Sequence, residues 1–163
     1  MEEIELLIAQ GLVRKEPTKL VCHGLGSCVA IMVYDPKMRA GGLAHALLPD
    51  ESFSTKKDNS LKFADSATTW LIEEMVKLGS NKRRLNAKIV GGASLFKELK
   101  EAIGNENAKR AEETLSREGV KLVVKDVGGK RGRTVIFETE TGAVRIRKVK
   151  SDGFKYGWEE SMI

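Results

Sequence analysis

Two apolar segments joined by a short turn constrain the fold of this chain more than any other feature of its sequence. Residues 28–34 and 40–48 are apolar with few interruptions, as expected of strands that are covered on both faces. Asp35-Pro36-Lys37 lies between them and predicts a turn, because proline suits the second turn position. The sequence therefore predicts an antiparallel hairpin in the interior of a sheet.

The register of this hairpin decides whether the thiol of Cys28 lies beside the imidazole of His45. If the turn is centred between Pro36 and Lys37, the two residues are directly opposite each other, with Cβ atoms about 4.5–5.5 Å apart. If the partner strand shifts by two residues, they become diagonal neighbours on the same face. A shift of one residue places them on opposite faces, because side chains alternate along a strand.

A thiol beside an imidazole is a nucleophile paired with a base. A free cysteine has a pKa of about 8.5, and an adjacent imidazolium lowers it so that thiolate is present at neutral pH. The histidine then returns the proton to a departing amine, as amide hydrolysis requires. Gly24 and Gly26 allow a sharp turn just before Cys28. Backbone amides near Ser27 and Cys28 are therefore candidates to face a developing oxyanion.

The same residues also fit a plain hydrophobic core, and a metal site has to be considered. A cysteine at the start of a strand is often a small buried hydrophobe, and a histidine between leucines is often a hydrogen-bonded core residue. A zinc site built from Cys22, His23, Cys28 and His45 has the wrong spacing, since five residues separate the cysteines and the histidines lack the short structural-zinc interval. We therefore predict no metal site. Residues 91–94, Gly-Gly-Ala-Ser, fit either a weak anion-binding nest or a glycine turn.

The remaining periodicities predict an α+β fold. Apolar residues at helical spacing predict helices over 61–78 and 106–118, each followed by a glycine, and a partly helical segment over 95–103. Further strands are predicted at 4–8, 19–23, 86–90, 120–127, 134–138 and 143–149, with loops at 11–17 and 50–60. This order predicts one domain over residues 1–163, with mixed sheets covered by helices and a loosely held tail at 150–163.

Composition and charge narrow the classes of partner. The 163 residues are 41% hydrophobic and 31% charged, as in ordinary soluble proteins. No apolar run reaches the roughly 20 residues that cross a bilayer, which predicts no membrane insertion. The acidic N-terminus and two cysteines favour a cytoplasmic protein with reduced thiols. The net charge of +5 suits an acidic partner, but the basic clusters at 82–84 and 130–133 accompany no nucleic-acid-binding motif, so we expect no specific nucleic-acid binding.

Several colinear motifs occur at residues 24–29 (GLGSCV), 42–49 (GLAHALLP), 62–65 (KFAD), 87–96 (AKIVGGASLF), 103–107 (IGNEN) and 126–133 (DVGGKRGR). Together they resemble the CheD family of chemoreceptor glutamine deamidases. The resemblance covers nearly the whole chain except the first dozen residues and the tail. It implies an α+β layered sandwich similar to that of the bacterial deamidating toxins.

The resemblance also implies an activity and its residues. The implied reaction hydrolyses selected glutamine side chains in the cytoplasmic domains of methyl-accepting chemotaxis receptors, giving glutamate and ammonia without a cofactor. Cys28 is the implied nucleophile and His45 its base, acting through a glutamyl thioester. A CheC-type phosphatase is the implied second partner. The alternative is a CheD-like binding module with weak or no catalysis that regulates receptors or such a phosphatase.

One position departs from the family pattern. Where the family usually has a threonine whose hydroxyl helps to hold the histidine, this chain has Cys22. A thiol is a weaker hydrogen-bond partner than a hydroxyl. We expect Cys22 to occupy the orienting position, and we expect the family-motif residues Gly91, Gly92 and Ser94 near the site.

Overall fold

The computed structural model describes residues 1–56, 58–94, 100–150 and 157–163. The described chain forms two mixed five-stranded sheets and two α-helices, which confirms the predicted α+β class. The strands are β1 (Glu2–Glu5), β2 (Gly11–Arg14), β3 (Thr18–Leu25), β4 (Val29–Asp35), β5 (Ala40–Ala46), β6 (Asn86–Gly91), β7 (Lys121–Val127), β8 (Arg133–Glu138), β9 (Val144–Val149) and β10 (Trp158–Met162). The helices are α1 (Ala64–Leu78) and α2 (Lys100–Glu118), with short 3-10 turns at Glu51–Phe53, Ser60–Lys62 and Lys82–Arg84.

The elements stack in three layers. The central sheet has the strand order β2-β5-β4-β6-β7, and the outer sheet has the order β1-β3-β8-β9-β10. Both helices pack on one face of the central sheet, and the outer sheet covers its other face. The molecule has one hydrophobic core between the helices and the central sheet and another between the two sheets. Strand β4 contributes to both, since Ile31 and Val33 pack toward the helices while Ala30 and Met32 pack between the sheets. This explains its apolar character at successive positions.

The β4–β5 hairpin has the register that keeps Cys28 and His45 on one face. Ala30 pairs with His45, and the ladder runs from Val29 opposite Ala46 to Asp35 opposite Ala40. Cys28 precedes Ala30 by two residues and lies with it in the core between the sheets. Cys28 and His45 are therefore diagonal neighbours on the same face, which confirms the second of the two compatible registers.

The first predicted helix is confirmed, but it begins later than its apolar pattern suggested. Residues 60–62 form a 3-10 turn that the Asn59 side chain caps, and Phe63 is extended, so α1 starts at Ala64. The helix ends at Gly79, which adopts a left-handed conformation with φ of 117°. The second predicted helix is confirmed and extends further toward the N-terminus, because residues 100–105 also belong to α2. Residues 95–99 of the segment predicted to be partly helical lie outside the described residues.

Two predictions about irregular segments are wrong. Residues 11–14, predicted as part of a loop, form the edge strand β2 paired with β5. Residues 158–162, predicted as part of a loosely held tail, form β10 at the edge of the outer sheet, antiparallel to β9. Residues 151–156 of that tail lie outside the described residues. Edge strands are short and often exposed, so they lack the burial pattern that identifies interior strands.

Candidate active site

Cys28 lies at the end of the short connection from β3, in the outer sheet, to β4, in the central sheet. Gly24 adopts φ of 63°, and the β3–β8 pairing is irregular between Cys22 and Leu25, so the chain leaves the outer sheet just before Cys28. The side chain of Cys28 is buried, with 8% of its surface exposed. The thiol therefore lies in a mostly apolar setting at the beginning of β4.

Residues 92–93, just after β6, hold this segment by its backbone. The Gly92 N–H donates to the Cys28 carbonyl at 2.9 Å, and the Ala93 N–H donates to the Gly26 carbonyl at 2.8 Å. A Cβ atom on Gly91 would overlap the carbonyl oxygen of Cys28, and its φ of 118° also favours glycine. Ser94, the next residue, donates its N–H to the carbonyl of Gly129, in the turn after β7. The structure thus places the predicted residues Gly91, Gly92 and Ser94 at or near the Cys28 segment.

His45 is held by the segment between β1 and β2. Its Nδ1 atom is 3.1 Å from the carbonyl oxygen of Leu6. Because a carbonyl only accepts hydrogen bonds, Nδ1 carries the proton, and in the neutral ring Nε2 has the free lone pair. The backbone of His45 is held as well, since its carbonyl accepts from Ala9 and its N–H donates to Gln10. This segment therefore fixes both the tautomer and the position of the imidazole.

The carbonyl of Leu6 was not predicted to hold the histidine. The family resemblance implied that position for Cys22, which is fully buried in the core between the sheets. The described hydrogen bonds of the His45 ring include Leu6 and do not include Cys22. Leu6 also donates its own N–H to Val21, so it connects β3 to His45. A backbone carbonyl can come from any residue, so no side-chain signal in the sequence identifies it.

Burial determines the protonation of the candidate pair. Desolvation raises the pKa of the Cys28 thiol, and its own backbone N–H offsets this only in part. Desolvation also lowers the pKa of His45, partly offset by the Leu6 carbonyl. The pKa of Cys22 is raised by desolvation and then by the nearby Cys28 and Glu5. These directions favour a neutral thiol beside a neutral imidazole, whereas the sequence pattern predicted a thiolate at neutral pH.

Asn107 is a further buried polar residue at this site that the sequence pattern did not single out. Its amide nitrogen donates to the carbonyls of Ser27 at 2.8 Å and Leu47 at 2.9 Å. These two residues are near Cys28 and His45 in the chain. The motif at 103–107 contains Asn107, but no spacing within that motif connects it to either residue.

The zinc arrangement considered from sequence does not match the positions of its four residues. His23 is exposed, whereas Cys22, Cys28 and His45 are buried. Within the described residues, no group of three or more His, Cys, Asp and Glu side chains is arranged to hold a metal ion. In the same part of the chain, neither helix combines the length and apolar composition needed to cross a bilayer.

Several side chains of the two basic clusters are paired with acidic residues. In the first cluster, Lys82 pairs with Glu118 at 2.7 Å, and Arg84 pairs with Asp35 at 2.9 Å. In the second cluster, Arg131 pairs with Glu159 and Arg133 pairs with Asp126. These pairs reduce the charge that the clusters present to a partner.

Comparisons with known proteins give the family. The family model described as CheD chemotactic sensory transduction matches residues 47–148. A probable chemoreceptor glutamine deamidase CheD of Clostridium novyi (strain NT) is 45% identical over 152 residues, covering 91% of this chain and 94% of that protein. One of the same name from Clostridium botulinum (strain Hall) is 45% identical over 153 residues, with the same coverage. Because these alignments cover 91% of this chain, they include Cys28 and His45.

Among solved structures, the Bacillus licheniformis hypothetical protein YfiH has a TM-score of 0.49 at 16% identity, over 71% of this chain and 49% of that one. The family model matches more than half of the chain, and the two clostridial proteins match nearly its full length. The chain therefore belongs to the CheD family.

Proposed function

We propose that this protein hydrolyses selected glutamine side chains in the cytoplasmic domains of chemotaxis receptors, with Cys28 as the nucleophile and His45 as the base. The observation that carries the proposal is the β4–β5 register, which makes Cys28 and His45 diagonal neighbours on one buried face. The names of the 45% identical relatives, probable chemoreceptor glutamine deamidases, support the substrate class. The proposed site of action is the cytoplasmic side, where the proposed substrate domains lie.

The proposed first half-reaction begins from the neutral pair. As the Cys28 sulfur attacks the carboxamide carbon, Nε2 of His45 takes the thiol proton, because Nδ1 is already committed to Leu6. The new oxyanion is stabilised by backbone amides at Ser27 and Cys28, where Gly24 and Gly26 shape the turn. The tetrahedral intermediate collapses when His45 returns the proton to the leaving nitrogen. Ammonia departs and a glutamyl thioester remains on Cys28.

The second half-reaction repeats the same roles with water. Nε2 of His45 takes a proton from water as the water oxygen attacks the thioester carbonyl. The carbon–sulfur bond breaks and the sulfur regains its proton from His45. The receptor then dissociates with a glutamate in place of the glutamine. All of these proton transfers use one imidazole and one thiol, so the proposed cycle needs no cofactor.

A binding module is the second candidate function. The specific observation in its favour is the burial of Cys28, which leaves 8% of the side chain exposed and raises the pKa of its thiol. A buried neutral thiol is a weak nucleophile until a substrate or partner changes its surroundings. A protein of this kind would bind receptors or a CheC-type phosphatase and deamidate slowly or not at all.

The experiment that separates the two functions is incubation of the protein with a receptor cytoplasmic fragment, followed by peptide mass spectrometry. We expect glutamine-to-glutamate conversion at a small set of positions with the wild type and with Cys22→Ala, and none with Cys28→Ala. Cys22→Ala is a matched control, because it removes the other buried thiol of the same core. If the wild type leaves every glutamine intact, the deamidase proposal fails. If Cys28→Ala remains active, the assignment of the nucleophile fails.

A further inference from the structure

The side chain of Asn107 joins the two strands of the site hairpin where their own pairing stops. The β4–β5 ladder ends at Val29 opposite Ala46, so it does not extend to Cys28 and Leu47. Asn107 donates from one amide nitrogen to the Ser27 carbonyl at 2.8 Å and to the Leu47 carbonyl at 2.9 Å. Ser27 directly precedes Cys28, and Leu47 follows His45 by two residues. The Asn107 side chain thus bridges the ends of the two strands that carry the proposed pair.

The orientation of this amide is determined by its partners. Both partners are carbonyl oxygens, which only accept, so the nitrogen of Asn107 faces them and Oδ1 faces away. Asn107 is fully buried, and its Oδ1 has no hydrogen-bond partner among the described residues. A buried acceptor without a partner costs stability. The buried amide thus joins two carbonyls while its own acceptor stays unpaired within the described residues.

The rest of α2 fixes the position of Asn107 relative to the Cys28 segment. A Cβ atom on Gly104, one turn earlier, would lie 2.7 Å from the carbonyl oxygens of Gly92 and Ala93. The helix backbone therefore lies against the same two residues that hold Cys28 and Gly26 by hydrogen bonds.

One turn beyond Asn107, Arg110 pairs with Asp50, shortly after Leu47. Contacts on both sides of Asn107 thus hold α2 near the Cys28 segment and near the segment after β5, the two segments that Asn107 bridges. The helix is held close to the Cys28 segment at Gly104 and close to the segment after β5 at Arg110.

We propose that Asn107 is a positioning residue that sets the geometry between the Cys28 sulfur and Nε2 of His45. The inference rests on the proposed function, and it assigns to α2 a role in catalysis beyond packing. Without the two donated hydrogen bonds, the Ser27–Cys28 segment loses its tie to Leu47, just after β5, and among the described hydrogen bonds is held only from the side of Gly92 and Ala93. Because a displacement of about 1 Å at a reacting atom can cost roughly 100-fold in rate, kcat is the sensitive quantity.

The test compares Asn107→Ala with Thr114→Ala in the full-length protein. Thr114 is a fully buried polar residue on the same helix whose hydroxyl donates within the helix, to Arg110, so it controls for helix stability. On a receptor cytoplasmic fragment, we expect Asn107→Ala to lower kcat about 10- to 100-fold with KM changed by less than about threefold. Thr114→Ala should keep kcat within about twofold, whatever its melting temperature. Wild-type kcat in folded Asn107→Ala, or an equal loss in Thr114→Ala, overturns the proposal.

A second measurement does not depend on receptor deamidation. The pH profile of Cys28 alkylation by iodoacetamide reports whether the imidazole is beside the thiol. We expect Asn107→Ala to move this profile in the same direction as His45→Ala, and Thr114→Ala to leave it at the wild-type position. An unchanged profile in Asn107→Ala overturns the positioning role. If the wild type lacks deamidase activity, the proposed function fails while this measurement still decides the role of Asn107.

A variant that keeps a donor covers the case in which Asn107→Ala does not fold. Asn107→Ser retains one hydroxyl donor, which cannot bridge both carbonyls. We expect a folded protein with reduced kcat and a shifted alkylation profile. Wild-type values for both quantities in Asn107→Ser overturn the proposal.

Discussion

At the residue scale, the proposed chemistry needs a reacting pair, Cys28 and His45, and a group that orients His45. The sequence reveals the pair but not the orienting group. Cys28 and His45 are identified by their chemistry and by the hairpin that contains them. The group that orients His45 is a backbone carbonyl, at Leu6, and the fully buried Cys22 is not among the described partners of the ring. A cysteine at position 22, where the resemblance implies a threonine, is therefore compatible with an oriented His45 ring.

Substitutions at Cys22 test this compatibility. We expect Cys22→Thr and Cys22→Ala to keep kcat within about threefold of the wild type, because Leu6 holds Nδ1 of His45 in both. Cys22→Ala should also lose about 1 kcal/mol of unfolding free energy from the smaller buried side chain. Steady-state kinetics and urea unfolding measure the two effects. A tenfold loss of kcat in Cys22→Ala that Cys22→Thr restores would show that this position, and not Leu6, orients the base.

The protonation of Cys28 gives a pH prediction at the same scale. Burial raises the pKa of its thiol and lowers the pKa of His45, so the neutral forms of both extend over a wider pH range. The rate of alkylation by iodoacetamide should therefore keep rising above the ordinary cysteine pKa of about 8.5. Mapping of the alkylated peptide separates Cys28 from Cys22. A rate that is already constant between about pH 6 and pH 8 would instead indicate a preformed thiolate–imidazolium pair.

At the element scale, the candidate site lies where two short segments and helix α2 meet the β4–β5 hairpin. The segment between β1 and β2 holds His45, and residues 92–93 after β6 hold the Cys28 segment. Helix α2 contacts the residues next to β4 and β5 through Asn107. Each of these contacts uses a backbone group, either of the site segment or of the element that holds it. The site is therefore sensitive to backbone displacement in segments that carry no reacting side chain.

Gly91→Ala tests the contact between the end of β6 and Cys28. Its Cβ atom would overlap the Cys28 carbonyl, and its φ of 118° is unfavourable for alanine, so we expect a loss of about 2–4 kcal/mol of unfolding free energy and a fall in kcat. Gly119→Ala is the matched control, because that glycine has φ of 73° but no atom within 4 Å of the added Cβ. It should cost about 1 kcal/mol through backbone strain alone and leave kcat unchanged. Equal effects of the two substitutions on kcat would contradict the role of Gly91.

At the scale of the whole molecule, the sequence predicted the interior of the fold better than its margins. The β4–β5 hairpin was predicted because its apolar strands and proline turn leave few registers, and only alternate registers keep Cys28 and His45 on one face. Strands β2 and β10 were missed because these edge strands lack alternating burial: β2 is half-buried throughout and β10 is exposed throughout. The edge strand β7 was predicted because its exposure largely alternates. Leu6 and Asn107 were missed because their contacts to the site depend on how distant segments pack. Such contacts have no local pattern in the sequence.

The central claim is that Cys28 forms a covalent thioester with a receptor glutamine and that His45 serves as its base. The most direct measurement is rapid mixing with a receptor cytoplasmic fragment, quenching in acid during the first turnover, and peptide mass spectrometry. We predict a receptor peptide joined through a glutamyl carbonyl to Cys28, released by hydroxylamine, with less of this adduct formed in His45→Ala. An adduct on Cys22, or first-turnover deamidation without any adduct on Cys28, would contradict the account.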